Sequence, residues 1–234
     1  LETILKEVAR LESQGYNEIT LLGQNVNSWG LEKVGVTLRK YLMQQDKPLK
    51  LEDLPSNPSQ YMALDGKLPF VHLLQEISKF PGIQSIRFMT SNPWDFHDEL
   101  IEEIANNPKL DRFIHLPVQS GSNSVLHRMN RGYTRERYLE VVQKLRDRIP
   151  NVEIGTDIIV GFPGESEEDF TDTITLAKAA NWKVAFVAQY SPRPGTAAWK
   201  LYTDDVSPQE KKRRWDILDE LVNKRQLSSR PQIM

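Results

Sequence analysis

Two alternating hydrophobic periods govern what this chain can fold into. Ile4, Leu5, Val8 and Leu11 recur at helical spacing, and Gly15 predicts the end of that helix. NEITLLGQ follows, short and apolar enough for a buried strand. The alternation returns four more times. A helix over 71–80 precedes a strand over 85–89, and a helix over 98–106 precedes a strand over 113–118. Helices over 124–130 and 135–148 precede a strand over 154–160, and a helix over 167–180 precedes a strand over 184–190. A last helix is predicted over 208–226. Strands alternating with helices of about ten residues or more imply parallel βαβ units. Five strands with a helix ahead of the first predict an α/β fold, namely a barrel or a partial (β/α) barrel that lacks its opening strand. A doubly wound open sheet is the rival. In either fold, chemistry gathers at the C-terminal ends of the strands.

Residues 31–69 break the rhythm with polar residues and prolines, and they read as a surface insertion. The 234 residues suffice for one sizeable domain, and 39% apolar with 26% charged composition fits a soluble one. A formal net charge of −2 gives no global attraction to nucleic acid, so any RNA contact needs a local patch. No apolar run reaches the length of a membrane span and no leader is visible, which points to a cytoplasmic protein without a membrane partner. There is no cysteine, which excludes disulfides, thiolate metal sites and cysteine nucleophiles within these residues. The chain opens at Leu1, already in helical pattern, so a truncated N-terminus is expected.

Each predicted strand ends in polar or glycine-rich residues. The clusters are Gly23-Gln24-Asn25-Val26-Asn27, Thr90-Ser91-Asn92-Pro93, Pro117-Val118-Gln119-Ser120-Gly121-Ser122, Gly161-Phe162-Pro163-Gly164-Glu165 and Ser191-Pro192-Arg193-Pro194-Gly195-Thr196. One such cluster is ordinary turn chemistry. Five at the same end of successive strands would line one mouth with donors and small residues, which suits a polar cofactor.

The strings LLGQNVNSWG, RFMTSNPWDF, HLPVQSGSNSVLHRMNRGYT, DIIVGFPGE and YSPRPGTAA resemble the radical-SAM methylthiotransferases. The branch most resembled thiolates isopentenyladenosine beside the tRNA anticodon. The resemblance runs from residue 1 to about 226 and implies a partial TIM-like barrel of the radical-SAM type. By that resemblance residues 1–230 form the radical-SAM core. An N-terminal cluster domain and a C-terminal RNA-binding barrel are absent from the chain, and LSSRPQIM leads into no such barrel. The implied cofactors are S-adenosylmethionine and 4Fe–4S clusters. A CxxxCxxC loop should precede Leu1, so this chain alone is expected to be inactive and to contain neither metal ligands nor catalytic residues. The implied partner is a tRNA anticodon loop, and a monomer is expected.

The resemblance assigns cofactor contacts residue by residue. Gln119 and Arg131 serve the ribose and the carboxylate, the guanidinium offering a bidentate fork. Ser120 shares the strand end of Gln119. Asp157 can accept from ribose hydroxyls, with an inter-strand ion pair or a cap as its structural reading. Gly23 and Gln24 follow the strand that contacts the amino group, and Thr90 and Ser91 end the next. Gly161 and Pro163, with Gly164, let the backbone approach a flat adenine. Glu165 reads as structural, and Ser166 with Asp169 as a helix cap. None of His72, His97, His115 and His127 pair at metal-ligand spacing, and His115 reads as core. Lys211-Lys212-Arg213-Arg214 reads as a solvated face. Two other functions stay open: methylthiolation of a ribosomal-protein aspartate, and a non-catalytic remnant.

Overall fold

The computed structural model describes residues 1–30 and 68–224. Most of the predicted insertion, and the end of the last predicted helix, lie outside the described residues. The chain divides into two compact units, Leu1–Arg112 and Phe113–Met234.

In the first unit, α1 (Glu2–Ser13) ends where Gly15 takes φ 88°. Its carbonyls are closed by Gly15 N to Glu12 O and Tyr16 N to Leu11 O. β1 (Glu18–Leu21) pairs in parallel with β2 (Ser85–Phe88), in register from Glu18↔Ser85 to Leu21↔Phe88. Between them in the chain, α2 (Pro69–Ser78) begins with proline in its first turn, where a missing N–H costs nothing. The predicted insertion therefore stops short of Leu68 and Pro69, which cap and start this helix. α2 buries Phe70, Val71, Leu73, Leu74 and Ile77, and Phe70 meets Phe88 edge to face at 5.3 Å. α3 (Asp98–Asn106) has the predicted bounds and buries Leu100, Ile101 and Ile104.

In the second unit, β3 (Phe113–His115), β4 (Glu153–Val160) and β5 (Val184–Gln189) form a parallel sheet in that order. The connecting helices are α4 (Asn123–Arg128), α5 (Arg135–Arg148) and α6 (Glu167–Ala180). α5 and α6 also keep their predicted bounds. Thr134 caps α5, and Ser166 with Asp169 forms a capping box on α6. α7 (Ala197–Leu201), absent from the sequence reading, starts at a Thr196 cap. α8 (Pro208–Asp219) runs into a π turn over Glu220–Lys224.

β3 is shorter than predicted, and the reason is packing from further along the chain. The backbone of Leu116, Pro117 and Val118 bonds to buried side chains beside the ladder. Tyr138 donates its hydroxyl to Leu116 O at 3.0 Å, and Thr156 donates to the same oxygen at 2.9 Å. Val118 N donates to Thr156 Oγ1 at 3.0 Å, and Tyr133 donates to Val118 O at 3.1 Å. Every buried backbone group needs a partner, and here side chains supply many of them. Among the described residues the fold is thus α/β, with parallel sheets of two and three strands.

Candidate functional site

In the first unit the turns after β1 and β2 are knitted together. Val26 N donates to Thr90 O, and the Asn27 amide bonds Asn92 twice, accepting from its N–H at 2.6 Å and donating to its carbonyl at 2.9 Å. Thr90 takes the left-handed φ of 62°. Gly23 and Gln24 line a cavity of about 470 Å³, together with Leu22, Val26, Trp29 and Phe70. Ser91 is 2% exposed, and its hydroxyl finds no partner among the described residues. The Ser28 hydroxyl and the Asn92 amide bond Asp95, yet burial outweighs them and raises its pKa.

The parallel register of the second unit brings three predicted clusters to one sheet edge. Gln119, at φ 71°, bridges to β4: its N–H donates to Asp157 O at 2.8 Å, and its carbonyl accepts from Ile159 N at 2.9 Å. Gln119 and Asp157 are therefore backbone neighbours. Ser120 is fully buried, with its hydroxyl against Thr173 and the Ser122 N–H. Gly121 explains the tightness: a Cβ there would lie 2.4 Å from Thr173 Cα, so α6 packs backbone to backbone against this turn. Arg131 follows the last turn of α4, exposed, with its N–H bonded to Leu126 O. Its guanidinium meets no carboxylate among the described residues. Tyr133, two residues on, anchors the segment to Pro117 and Val118, and burial pushes its hydroxyl up to about 12.

Asp157 sits within β4, on the strand the sequence reading gave it, and its Oδ1 lies 2.9 Å from Nε2 of the buried His115. The inter-strand pair therefore exists, and it leaves Oδ2 without a hydrogen bond from the described residues. The basic run on α8 is not a solvated face. Lys212 and Arg213 are exposed, but Lys211 and Arg214 are 6% and 5% exposed. Lys211 Nζ reaches both oxygens of Asp204 at 2.6 and 2.7 Å, and its stem lies where a Cβ on Gly161 would fall, 2.3 Å away. Gly161 has φ 70°, so the close approach expected of an adenine is occupied by Lys211. Pro163 is buried and Gly164 exposed. Glu165 is structural as read. Its Oε2 accepts from Gly161 N at 2.6 Å and from Arg214 Nη1 at 2.7 Å. Burial raises its pKa against the pull of those two donors.

Sequence reasoning missed Phe186, which is 54% exposed and packs edge to face on His115 at 5.8 Å. Its place opposite Asp157 comes from the register of β4 and β5, which no local sequence pattern encodes.

Comparison with known proteins places this arrangement in a family. The chain is 46% identical over 219 residues to the tRNA-2-methylthio-N(6)-dimethylallyladenosine synthase of Thermotoga petrophila, covering 93% of this chain and 42% of that protein. It is 44% identical over 222 residues to the enzyme of the same name from Clostridium botulinum strain Okra, covering 95% and 42%. The one from Protochlamydia amoebophila is 44% identical over 220 residues, covering 94% and 42%. The chain thus spans about two fifths of the length of these relatives. Among solved structures, coproporphyrinogen III oxidase from Escherichia coli, described as a radical SAM enzyme, superimposes with a TM-score of 0.55. That match is 20% identical and covers 70% of this chain and 38% of the other, a likeness of fold alone. The sequence profile of the Radical SAM superfamily matches residues 1–177, three quarters of the chain, and the chain belongs to that superfamily.

Proposed function

We propose that this chain is the S-adenosylmethionine-binding core of a tRNA methylthiotransferase, one that adds a methylthio group to C2 of isopentenyladenosine next to the anticodon. The observation that carries the reading is the 44–46% identity, over nearly the whole chain, to enzymes named for that product. Residues 1–230 act as one radical-SAM core, a partial TIM-like barrel, within a longer monomeric cytoplasmic enzyme. The tRNA anticodon loop is its partner. No helix among the described residues is long and apolar enough to cross a membrane.

The residues present do not fit a 4Fe–4S cluster. The chain has no cysteine, and no three His, Asp or Glu side chains group as metal ligands among the described residues. No step is derived through a cluster. S-adenosylmethionine is compatible with the strand ends, and when bound it would supply an electrophilic methyl group. Arg131 is exposed, has no ion-pair partner among the described residues, and can grip a carboxylate with two parallel donors. Gln119 and Asp157, neighbours through a backbone hydrogen bond, face the ribose. Ser120 holds the Gln119 turn. Pro163 is assigned to the edge beside the adenine, and Gly161, whose open side holds the Lys211 stem, serves the packing of α8. Gly23 and Gln24, backed by Thr90 and Ser91, are assigned to the amino group.

The test is mass spectrometry of tRNA and ribosomal proteins from a strain lacking the gene, with and without the complete gene restored. The methylthio group should return to isopentenylated tRNA. Its return only on a ribosomal-protein aspartate would replace this reading with the protein-modifying one.

A further inference from the structure

The segment after β5 carries two cations and a large ring that the fold itself does not use. Arg193 and Lys200 are exposed and meet no carboxylate among the described residues. The two acids nearest in sequence are already engaged: Asp204 holds Lys211, and Asp205 accepts from Gly164 N at 2.7 Å. Trp199 is 49% exposed and Leu201 71%. The indole is nonetheless mounted on fixed backbone. Thr196 donates its hydroxyl to Arg193 O at 2.8 Å and accepts from Trp199 N at 3.3 Å. One capping residue thereby ties the backbones of Arg193 and Trp199 together. Tyr202, at the end of α7, packs edge to face on the buried Phe162, centroids 5.9 Å apart, and Tyr190 does the same at 5.1 Å.

A formal net charge of −2 means that RNA contact requires a local patch. The basic run on α8 does not supply it. Lys211 and Arg214 are buried in ion pairs, Lys212 bonds Asp216, and Arg213 bonds Glu167 and Glu210. Arg193 and Lys200 are uncommitted, and they flank an open indole. Cations for phosphates beside an aromatic face for a base are the two components of single-strand recognition. The place in the fold agrees. The segment follows the C-terminal end of β5, the same sheet edge that holds the turns after β3 and β4. A base drawn out of an RNA loop toward that edge leaves its neighbour without a stacking partner, and an indole at the edge can replace it. Two apolar side chains expose far less than the roughly 800 Å² that each partner contributes to a stable protein interface, which favours RNA over a protein partner.

We propose that Trp199, Arg193 and Lys200 form a docking surface for the unpaired loop of the tRNA, with a loop base stacked on the indole and the two cations on flanking phosphates. Trp199 is a binding residue that touches no reacting atom, and Thr196 positions it. The inference rests on the functional reading above for tRNA as the partner and adds where on this chain the loop is held.

The test measures binding of a fluorescein-labelled RNA hairpin with an unpaired loop to the complete enzyme by anisotropy, without S-adenosylmethionine so that nothing turns over. A fully paired RNA duplex of the same length is the control, and each variant is also melted. The hairpin should bind more tightly than the duplex. Trp199→Leu should weaken hairpin binding about five- to 150-fold, the worth of one stacked base. It should remove most of the preference over duplex and leave the melting temperature unchanged. Trp199→Phe should keep most of the affinity. Arg193→Gln combined with Lys200→Gln should make the slope of log affinity against log salt shallower by about 1.4, the ion release of two single-strand phosphate contacts. Unchanged hairpin binding in Trp199→Leu overturns the inference, and so does an equal loss for hairpin and duplex. A lower melting temperature with unchanged hairpin affinity would mean that another part of the enzyme covers the indole. A change from dimer to monomer on sedimentation, again with unchanged hairpin affinity, would mean that a second copy does. Either result also overturns it. If the methylthio group returns only on a ribosomal protein while hairpin binding behaves as stated, the functional reading falls and this surface stands. If the group returns on tRNA while Trp199→Leu binds the hairpin normally, this surface falls and the functional reading stands.

Discussion

Arg214 Nη1 lies 2.7 Å from Oε2 of Glu165, and the two side chains are only 6% and 1% exposed. The pair joins α8 to the turn after β4, where Glu165 also accepts from Gly161 N. Arg214→Met removes the cation and leaves a carboxylate buried with one backbone donor. Breaking a buried pair on one side costs about 3–5 kcal/mol. The melting temperature at pH 8 should fall by about 6–20 °C. The pH dependence has a definite sign. Burial already raises the Glu165 pKa, and losing Arg214 raises it further. A carboxyl whose folded pKa exceeds its unfolded one gains stability as the pH falls, because the folded state binds the proton more tightly. The deficit of Arg214→Met should therefore shrink between pH 8 and pH 5. Calorimetry at the two pH values checks this, and equal deficits refute it.

Asp169 has the opposite titration. Burial would raise its pKa, but the hydroxyls of Ser122 and Ser124 and the N–H of Ser166 hold it well below the usual carboxylate range. One carboxylate thereby ties the start of α4 to the start of α6. Its folded pKa is depressed, so its contribution is complete above the ordinary value of 3.8 and is lost as the pH falls from there toward the folded value. Asp169→Asn should cost about 1.5–3 kcal/mol at pH 7, the worth of a hydrogen bond to a charged group. The difference between Asp169→Asn and wild type should narrow below about pH 4. Urea unfolding across pH 3–7 measures it, and a constant difference would remove the carboxylate's charge from the account.

The helices were legible because their signals are local. Thr134 and Ser166 carry cap chemistry within three residues of the helix start, and α3, α5 and α6 keep their predicted bounds. What escaped the sequence depends on distant partners. Leu116-Pro117-Val118 has the composition of a strand, but Tyr138, 22 residues beyond Leu116, takes its carbonyl. Lys211 and Arg214 look like surface charge until Asp204 and Glu165 bury them. The site divides in the same way. The assignment that pairs Gln119 with Arg131 and gives Asp157 to the ribose could be read from the string around each, and the structure adds that Gln119 and Asp157 are backbone neighbours. The His115–Asp157 bond spans 42 positions, and the open Phe186 ring depends on what does not cover it; no local pattern encodes either.

Tyr138 tests the irregular end of β3 directly. Its hydroxyl accepts from Trp182 Nε1 at 2.8 Å and donates to Leu116 O at 3.0 Å, and both side chains are buried. Burial pushes its pKa upward, so it stays a neutral donor at every working pH. Tyr138→Phe keeps the ring but removes the bonds to Trp182 Nε1 and Leu116 O, at a cost of about 1–3 kcal/mol for the two. The urea midpoint should fall with its slope unchanged, because the same surface is exposed on unfolding. An unshifted midpoint would mean that water replaces the hydroxyl without loss.

Arg131 separates binding from folding. It follows α4 and is held in place by the backbone bond to Leu126 and by Tyr133, which anchors to Pro117 and Val118. Its own guanidinium is exposed and has no acidic partner among the described residues. Arg131→Lys therefore removes no ion pair described here, and the melting temperature should hold. A carboxylate ligand would meet a single ammonium in place of a planar fork, an arrangement lysine cannot reproduce. Charge-assisted hydrogen bonds contribute about 1.5–3 kcal/mol, so in the complete enzyme S-adenosylmethionine affinity should fall about ten- to a hundred-fold. Calorimetric titration beside a melting curve decides between the two roles. A lower melting temperature with unchanged affinity would make Arg131 structural and remove it from the site.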